Sequence, residues 1–320
     1  MSDAPRGKII AAFAAVYVIW GSTYLAILFA IETLPPFLMA GVRFLVAGAL
    51  LFTWAALRTP RRPTRAQWKA AFIIGGLLLL GGNGAVTWAE QTVPSGVVAL
   101  LVAGTPCWMV LLDWLWQGSA RPGARTVIGI VLGFGGIVLL LGPSALLDGG
   151  SIHLAGALVV LLGSLAWATG SIYSKRAPRP DGALMSTGMQ MLMGGSLLVL
   201  AGTVTGEWTR VDIASVSLKS TLALAYLIVF GAIIGYSAYL WLLRVSSPAR
   251  VSTYAYVNPV VAVLLGWALA GETFTLRMAV AAAIIIAGVA LITLEENSRS
   301  KKVATTTAAE TARFAAEGSL

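Results

Sequence analysis

Trp20 and Trp167 lie near the middle of long apolar runs, at a depth where an indole N–H needs a protein or water partner. Trp54, Trp68, Trp88, Trp114, Trp116, Trp241 and Trp267 sit instead near the ends of such runs. That is the headgroup belt, where tryptophan keeps its ring in hydrocarbon and its N–H wet. Trp108 joins Trp20 and Trp167 as a mid-run exception. Two roles are open to the three: plugging a helix-bundle core, or lining a midplane cavity and stacking against an aromatic or cationic solute. Pro106 and Pro259 lie near the centres of two further runs. Each removes a backbone hydrogen bond and clashes with the preceding turn, so its helix must kink or open. Thr105 and Asn258, immediately before them, add polar atoms at the same depth. Asn83 between Gly82 and Gly84, with Tyr236, Tyr239, Tyr254 and Tyr256, supplies amide and hydroxyl groups that can bind a solute or pair with each other. The expected substrate-binding set is Trp20, Asn83, Trp108, Trp167, Tyr236, Tyr239, Tyr256 and Asn258, with Pro106 and Pro259 shaping its walls.

Two charges fall within apolar runs. Arg43 is about 9 Å from the end of its run at 1.5 Å per residue, deep enough that it must snorkel, pair inside the bundle or meet a solute carboxylate. Pairing with Glu90 or with helix carbonyls is the structural alternative. Asp113 lies within a turn of a run's end, and a proton-coupling role for it has to compete with simple solvation. The sole histidine, His153, precedes a run, and Cys107 is the only cysteine, so no His-based metal site, Ser–His triad or disulfide framework can be assembled. No phosphate-binding Gly-Lys-Ser/Thr, His-Glu-x-x-His or Gly-x-Ser-x-Gly motif occurs. The expectation is no catalytic residue, no metal and no cofactor.

These residues are carried by ten apolar stretches, at 8–28, 37–57, 70–90, 95–116, 125–142, 154–174, 183–204, 221–242, 251–270 and 276–294. Most approach the ~20 residues a helix needs to cross ~30 Å of hydrocarbon. The chain is 58% apolar and 11% charged, which is not the balance of a soluble domain. Its basic residues alternate by loop. Arg58, Arg61, Arg62, Arg65 and Lys69 crowd one connection, Glu90 stands without a base in the next, then come Arg121 and Arg125, then Asp148, then Lys175, Arg176 and Arg179. By the positive-inside rule all 22 Lys and Arg except Arg43, Arg210, Lys219 and Arg277 face the cytoplasm, with both chain ends. The net charge of +9 is then explained by topology and anionic headgroups rather than by nucleic acid. The first run is too long for a signal-peptide core and should be kept as the first helix. From residue 295 to 320 the chain turns polar and Ala/Thr-rich, a cytoplasmic tail without core signals.

A shift of 153 residues lays the third to fifth runs over the eighth to tenth. Gly82, Ala85, Trp88, Pro106, Trp114, Gly118 and Gly135 meet Gly235, Ala238, Trp241, Pro259, Trp267, Gly271 and Gly288. A slightly smaller shift brings Trp20 onto Trp167. Five crossings per half is an odd number, so the second half must enter the membrane in the opposite sense. That is an inverted-topology repeat, recurrent in secondary transporters. The expected division is 8–142 and 154–294, followed by the tail at 295–320.

Ile19-Trp20-Gly21-Ser22-Thr23-Tyr24, Pro35-Pro36, Ala40-Gly41-Val42-Arg43-Phe44, Gly82-Asn83-Gly84, Val93-Pro94-Ser95-Gly96, Tyr254-Ala255-Tyr256-Val257-Asn258-Pro259-Val260-Val261 and Gly271-Glu272 stand in order along the chain. Over about residues 8–294 this resembles the EamA family of the drug/metabolite transporter superfamily, most closely its bacterial inner-membrane exporters. Ser119 follows Gly118 where many members have Glu, which weakens a coupling role for Glu272. The resemblance implies an all-α membrane protein, a ten-helix bundle around a central cavity, that exports amino acids or drug-like metabolites from the cytoplasm by alternating access. Amino acids, including aromatic ones, are the expected solutes. A hydrophobic-cation exporter, a passive channel and a membrane-embedded lipid-modifying enzyme are the alternatives. The expected partners are a small-molecule substrate and the bilayer, not nucleic acid, with monomer and oligomer both open.

Overall fold

The computed structural model describes residues 5–59, 61–117, 121–141, 153–246, 251 and 253–295. The expected tail at 295–320, apart from Glu295, lies outside the described residues, as do Gly118, Ser119 and the side chain of Tyr256.

The described chain is an all-α membrane protein. Among the described residues nine helices are long and apolar enough to cross a bilayer: α1 Arg6–Ile31, α2 Pro36–Arg58, α3 Arg65–Ala89, α4 Ser95–Trp116, α5 Ala124–Leu141, α6 Leu154–Arg176, α7 Ala183–Val204, α8 Leu218–Val245 and, near the end, α10 Leu276–Glu295. Between the last two runs α9, Tyr254–Ala270, with a shorter apolar segment over Val257–Ala270. Helix beginnings are written locally. Pro36 occupies the first turn of α2, where its missing N–H costs nothing, and Thr64 with Gln67 forms a reciprocal capping box on α3. Large apolar side chains left outside the bundle, such as Leu57, Leu115, Val138 and Leu276, form a surface that only lipid tolerates.

α3 and α8 share a feature that their composition hides. α3 widens into π-helical turns over Gly76–Gly84 and α8 does so over Leu227–Tyr236, each flanked by ordinary α-helix. A π turn shifts the register of the side chains beyond it and is often found where a helix serves a site. Here the widened segments end at Gly84 and Tyr236, which delivers Asn83 and Tyr236 to the same interior void. α4 breaks instead, between Val102 and Thr105, so Pro106 sits in the first turn of the second half-helix, where a proline is tolerated. α9 runs on through Pro259, which stands in its early turns rather than at its centre.

Close packing is concentrated in equivalent places of the two halves. α2 lies along α7, and α1 packs on α8 and α9 as α6 packs on α3 and α4. At the α2–α7 crossing a side chain on Gly48 would come within 2.8 Å of the Leu192 backbone nitrogen, and one on Gly195 within 2.9 Å of that of Leu45. Glycine is what permits two membrane helices to touch backbone to backbone there.

Three glutamates tie helix N-termini to other parts of the chain. Glu207 accepts from the Phe37 and Leu38 amides of α2 at 3.1 and 2.9 Å. Glu272 accepts from the Ser95 and Gly96 amides of α4 at 2.6 and 3.1 Å. Glu295 accepts from the amide and hydroxyl of Thr126 in α5 at 2.7 and 2.8 Å. Each carboxylate satisfies amides that the helix leaves unpaired and sits at the positive end of its dipole.

Candidate substrate cavity

A cavity of about 70 Å³ lies among α1, α2, α3, α4, α6, α8 and α9. Its aromatic wall is made from the two tryptophans singled out by depth. The Trp20 and Trp167 rings meet edge to face, 5.6 Å between centroids at 82°. Tyr254 closes on Trp20 in the same manner at 5.6 Å and 87°. These are the arrangements that ring quadrupoles favour. Each indole N–H is satisfied, that of Trp20 donating to the Gly231 carbonyl at 3.2 Å and that of Trp167 to the Tyr239 hydroxyl at 3.3 Å. Glycines make room for both rings: Gly82 lies under Trp167, where a Cβ would stand 2.7 Å from the ring, and Gly235 lies under Trp20. The glycine pair and the tryptophan pair that echo each other in sequence are therefore in contact in space, each glycine with a tryptophan of the other half.

Arg43 enters this apolar surround from α2 and lines the cavity while only 3% exposed. Its guanidinium carbon stands 4.6 Å from the Phe44 ring centroid. Gly231 in the widened part of α8 lets it in, since a Cβ there would approach Nη2 to 2.8 Å. The expected pairing with Glu90 or with helix carbonyls is not formed: Nε and Nη1 have no hydrogen-bond partner, and neither do the two carboxylate oxygens of Glu90, which is itself buried. Depth along α2 announces a buried charge, but only the side chain's azimuth decides whether a partner is in reach. A buried cation whose donors are unclaimed binds an anion favourably once one enters.

The remaining expected residues divide. Asn83, Tyr236 and Asn258 line the cavity with Trp20 and Trp167. Asn258, with its amide NH₂ turned toward them, donates to the Tyr254 and Tyr17 carbonyls at 3.2 and 3.0 Å, which secures α9 to α1. Tyr239 is fully buried beside the cavity rather than on its wall, its hydroxyl held by Trp167 and by Ser171 at 3.0 Å. Trp108 is turned away from the cavity, edge to face with Phe134 of α5 at 5.0 Å. Asp113 is half-buried toward the far end of α4 and does not line the cavity; nor do Pro106 and Pro259. Tyr24, Thr23 and Ser164 line it without having been expected to. For Thr23 and Tyr24 the signal was their place one turn after Trp20.

The family model of the EamA-like transporter family matches residues 7–142 and 154–294. The Escherichia coli K12 protein YedA, described as an uncharacterized inner membrane transporter, is 42% identical over 281 residues, 88% of this chain and 89% of YedA. YvbV of Bacillus subtilis 168, described as an uncharacterized transporter, is 24% identical over 301 residues, 94% of this chain and 95% of YvbV. One solved crystal structure shares the fold with a TM-score of 0.63 at 21% identity, over 91% of this chain and 98% of that one. With both halves matched by the family model and a relative this similar along most of its length, the chain belongs to the EamA-like transporter family and is a multi-pass membrane transporter.

Proposed function

We propose that this protein is a secondary transporter of the bacterial inner membrane that exports amino acids, aromatic ones among them, by alternating access between two inverted five-helix repeats, 8–142 and 154–294. The observation that carries the solute class is the unpaired Arg43 guanidinium in a cavity walled by Trp20, Trp167 and Tyr254. A carboxylate finds a charge-assisted donor there and an apolar or aromatic side chain finds ring faces. The same guanidinium disfavours the hydrophobic-cation alternative, because a second cation would be brought beside one already buried in a low-dielectric site. Two features support alternating access. The widened turns of α3 and α8 occupy equivalent positions, and the helix contacts of one half recur in the other. Both fit a pair of repeats that rock against each other around a central site. The outward direction and the inner-membrane location rest on the family and on YedA.

The test is solute flux in proteoliposomes of purified protein, with a panel of amino acids and hydrophobic cations. Saturable flux of an amino acid and none of a cation is expected. Flux of cations alone would favour the multidrug reading, ohmic conductance a channel, and no flux of either class would remove the reading.

A further inference from the structure

At the end of the bundle where α6 and α8 finish lies a second and larger void, of about 430 Å³. Lys175 from α6, Arg179 just beyond it and Arg244 from α8 line it, and among the described residues no acidic one does. Topology asks for basic residues at this end of the molecule, but it is satisfied by any that reach the headgroups. It does not ask three of them, from two parts of the chain distant in sequence, to converge on one concavity at the cost of mutual repulsion. Nor does it explain the polar residues beneath them. Ser174, Ser186 and Gln190 line the same void, and each is buried. Asp181, the nearest acid in sequence, is paired elsewhere, with Arg61 at 3.3 Å.

The floor connects this void to the central cavity. The Tyr236 hydroxyl, on the cavity wall, donates to Gln190 Oε1 at 3.0 Å, and Gln190 Nε2 donates to Ser186 Oγ at 3.2 Å. One hydrogen bond between uncharged side chains thus joins the wall of one void to the floor of the other, with a cluster of bases lining the outer void and Arg43 lining the inner one.

We propose that the basic void is the loading site of the transporter, which holds the solute's carboxylate on Lys175, Arg179 and Arg244 before the Tyr236–Gln190 bond opens and Arg43 takes it over. The proposal rests on the carboxylate-solute reading of the central cavity and assigns that solute's route of entry. Converging positive charge at a low-dielectric mouth raises the local concentration of an anion and its rate of entry, an effect that salt suppresses. A lipid phosphate presents the same chemistry to these bases, so the test separates the two sources.

Lys175→Gln/Arg244→Gln leaves Arg176 and Arg179 to keep the positive charge of that connection. Arg210→Gln removes a base from a connection at the opposite end and serves as the control. Initial rates of radiolabelled phenylalanine flux are measured from the side of the basic void, at low and high ionic strength, in vesicles of phosphatidylcholine alone and with added phosphatidylglycerol. Thermal unfolding of each variant checks that it is folded. The double variant is expected to raise KM about 5- to 10-fold at low salt with kcat within a factor of two. The difference should shrink at high salt and be the same in both lipids, and Arg210→Gln should match the unaltered protein. An unchanged KM, a fall in kcat alone, or an effect confined to phosphatidylglycerol vesicles (the mark of a lipid site) overturns the loading site and leaves the central-cavity reading standing. Absence of phenylalanine flux in the unaltered protein, together with absence of any other amino-acid flux, overturns both.

Discussion

Arg43 and the two crossed indoles do different work in the same cavity. The rings set its shape and cannot move independently, because each indole N–H is tied to a carbonyl or hydroxyl and each ring rests on a glycine of the other half. Trp20→Ala and Trp167→Ala are each expected to impair amino-acid flux while leaving the yield of folded protein largely intact, read by flux beside gel filtration. A buried tryptophan that served packing alone would cost about 3–5 kcal/mol on truncation to alanine. Loss of folded protein in both variants would therefore assign the rings to the core. The sequence reveals these two residues because depth and the repeat both single them out. It misplaces Trp108, which has the right depth, because depth says nothing of direction around the helix, and Trp108 points to Phe134. Tyr239 is misread for a similar reason: a hydroxyl near a cavity can be spent on a neighbour, here Ser171 and Trp167. That Arg43 Nε and Nη1 and the Glu90 carboxylate oxygens are buried without a hydrogen bond is legible only in three dimensions.

At the scale of elements, spacing and composition locate the helices well, since a run of apolar residues bounded by Pro, Gly and bases leaves few choices in lipid. The widened turns in α3 and α8 are missed. Glycines at 75, 76, 81, 82 and 84 hint at an irregular α3, but Leu227–Tyr236 looks like any apolar helix. Glu272 also changes meaning. It holds two amides of α4, a structural role that its place in the sequence does not announce. Glu272→Ala should lower unfolding stability by about 2 kcal/mol, as two charge-assisted bonds and a favourable dipole contact are lost, and a shifted thermal midpoint in detergent would read it. An unchanged midpoint would mean that water takes over the amides. At the α2–α7 crossing Gly48→Val has no such escape, because the nearest atoms include backbone. It should abolish folded protein, while Gly7→Val, which meets nothing within 4 Å, should be silent.

Across the whole molecule, the alternation of basic and base-poor connections sets an expectation for how the chain lies in the membrane. Contacts of the loops agree with two distinct ends: Arg61 joins Asp181 at one, and Lys219 joins Glu32 at the other, 2.5 Å apart. Reporter fusions at the N-terminus and after residue 295 should both report the cytoplasm, and one within 205–217 the opposite side. A split result for the two termini would remove the odd count per half on which the inversion stands. The central claim is that this transporter carries a carboxylate solute on Arg43. Its most direct test is phenylalanine flux in proteoliposomes for the unaltered protein and for Arg43→Gln. Saturable flux is expected that weakens at least about tenfold in apparent affinity in the variant, since a hydrogen bond to a charged group is worth about 1.5–3 kcal/mol. Equal KM and kcat in the two proteins would contradict it.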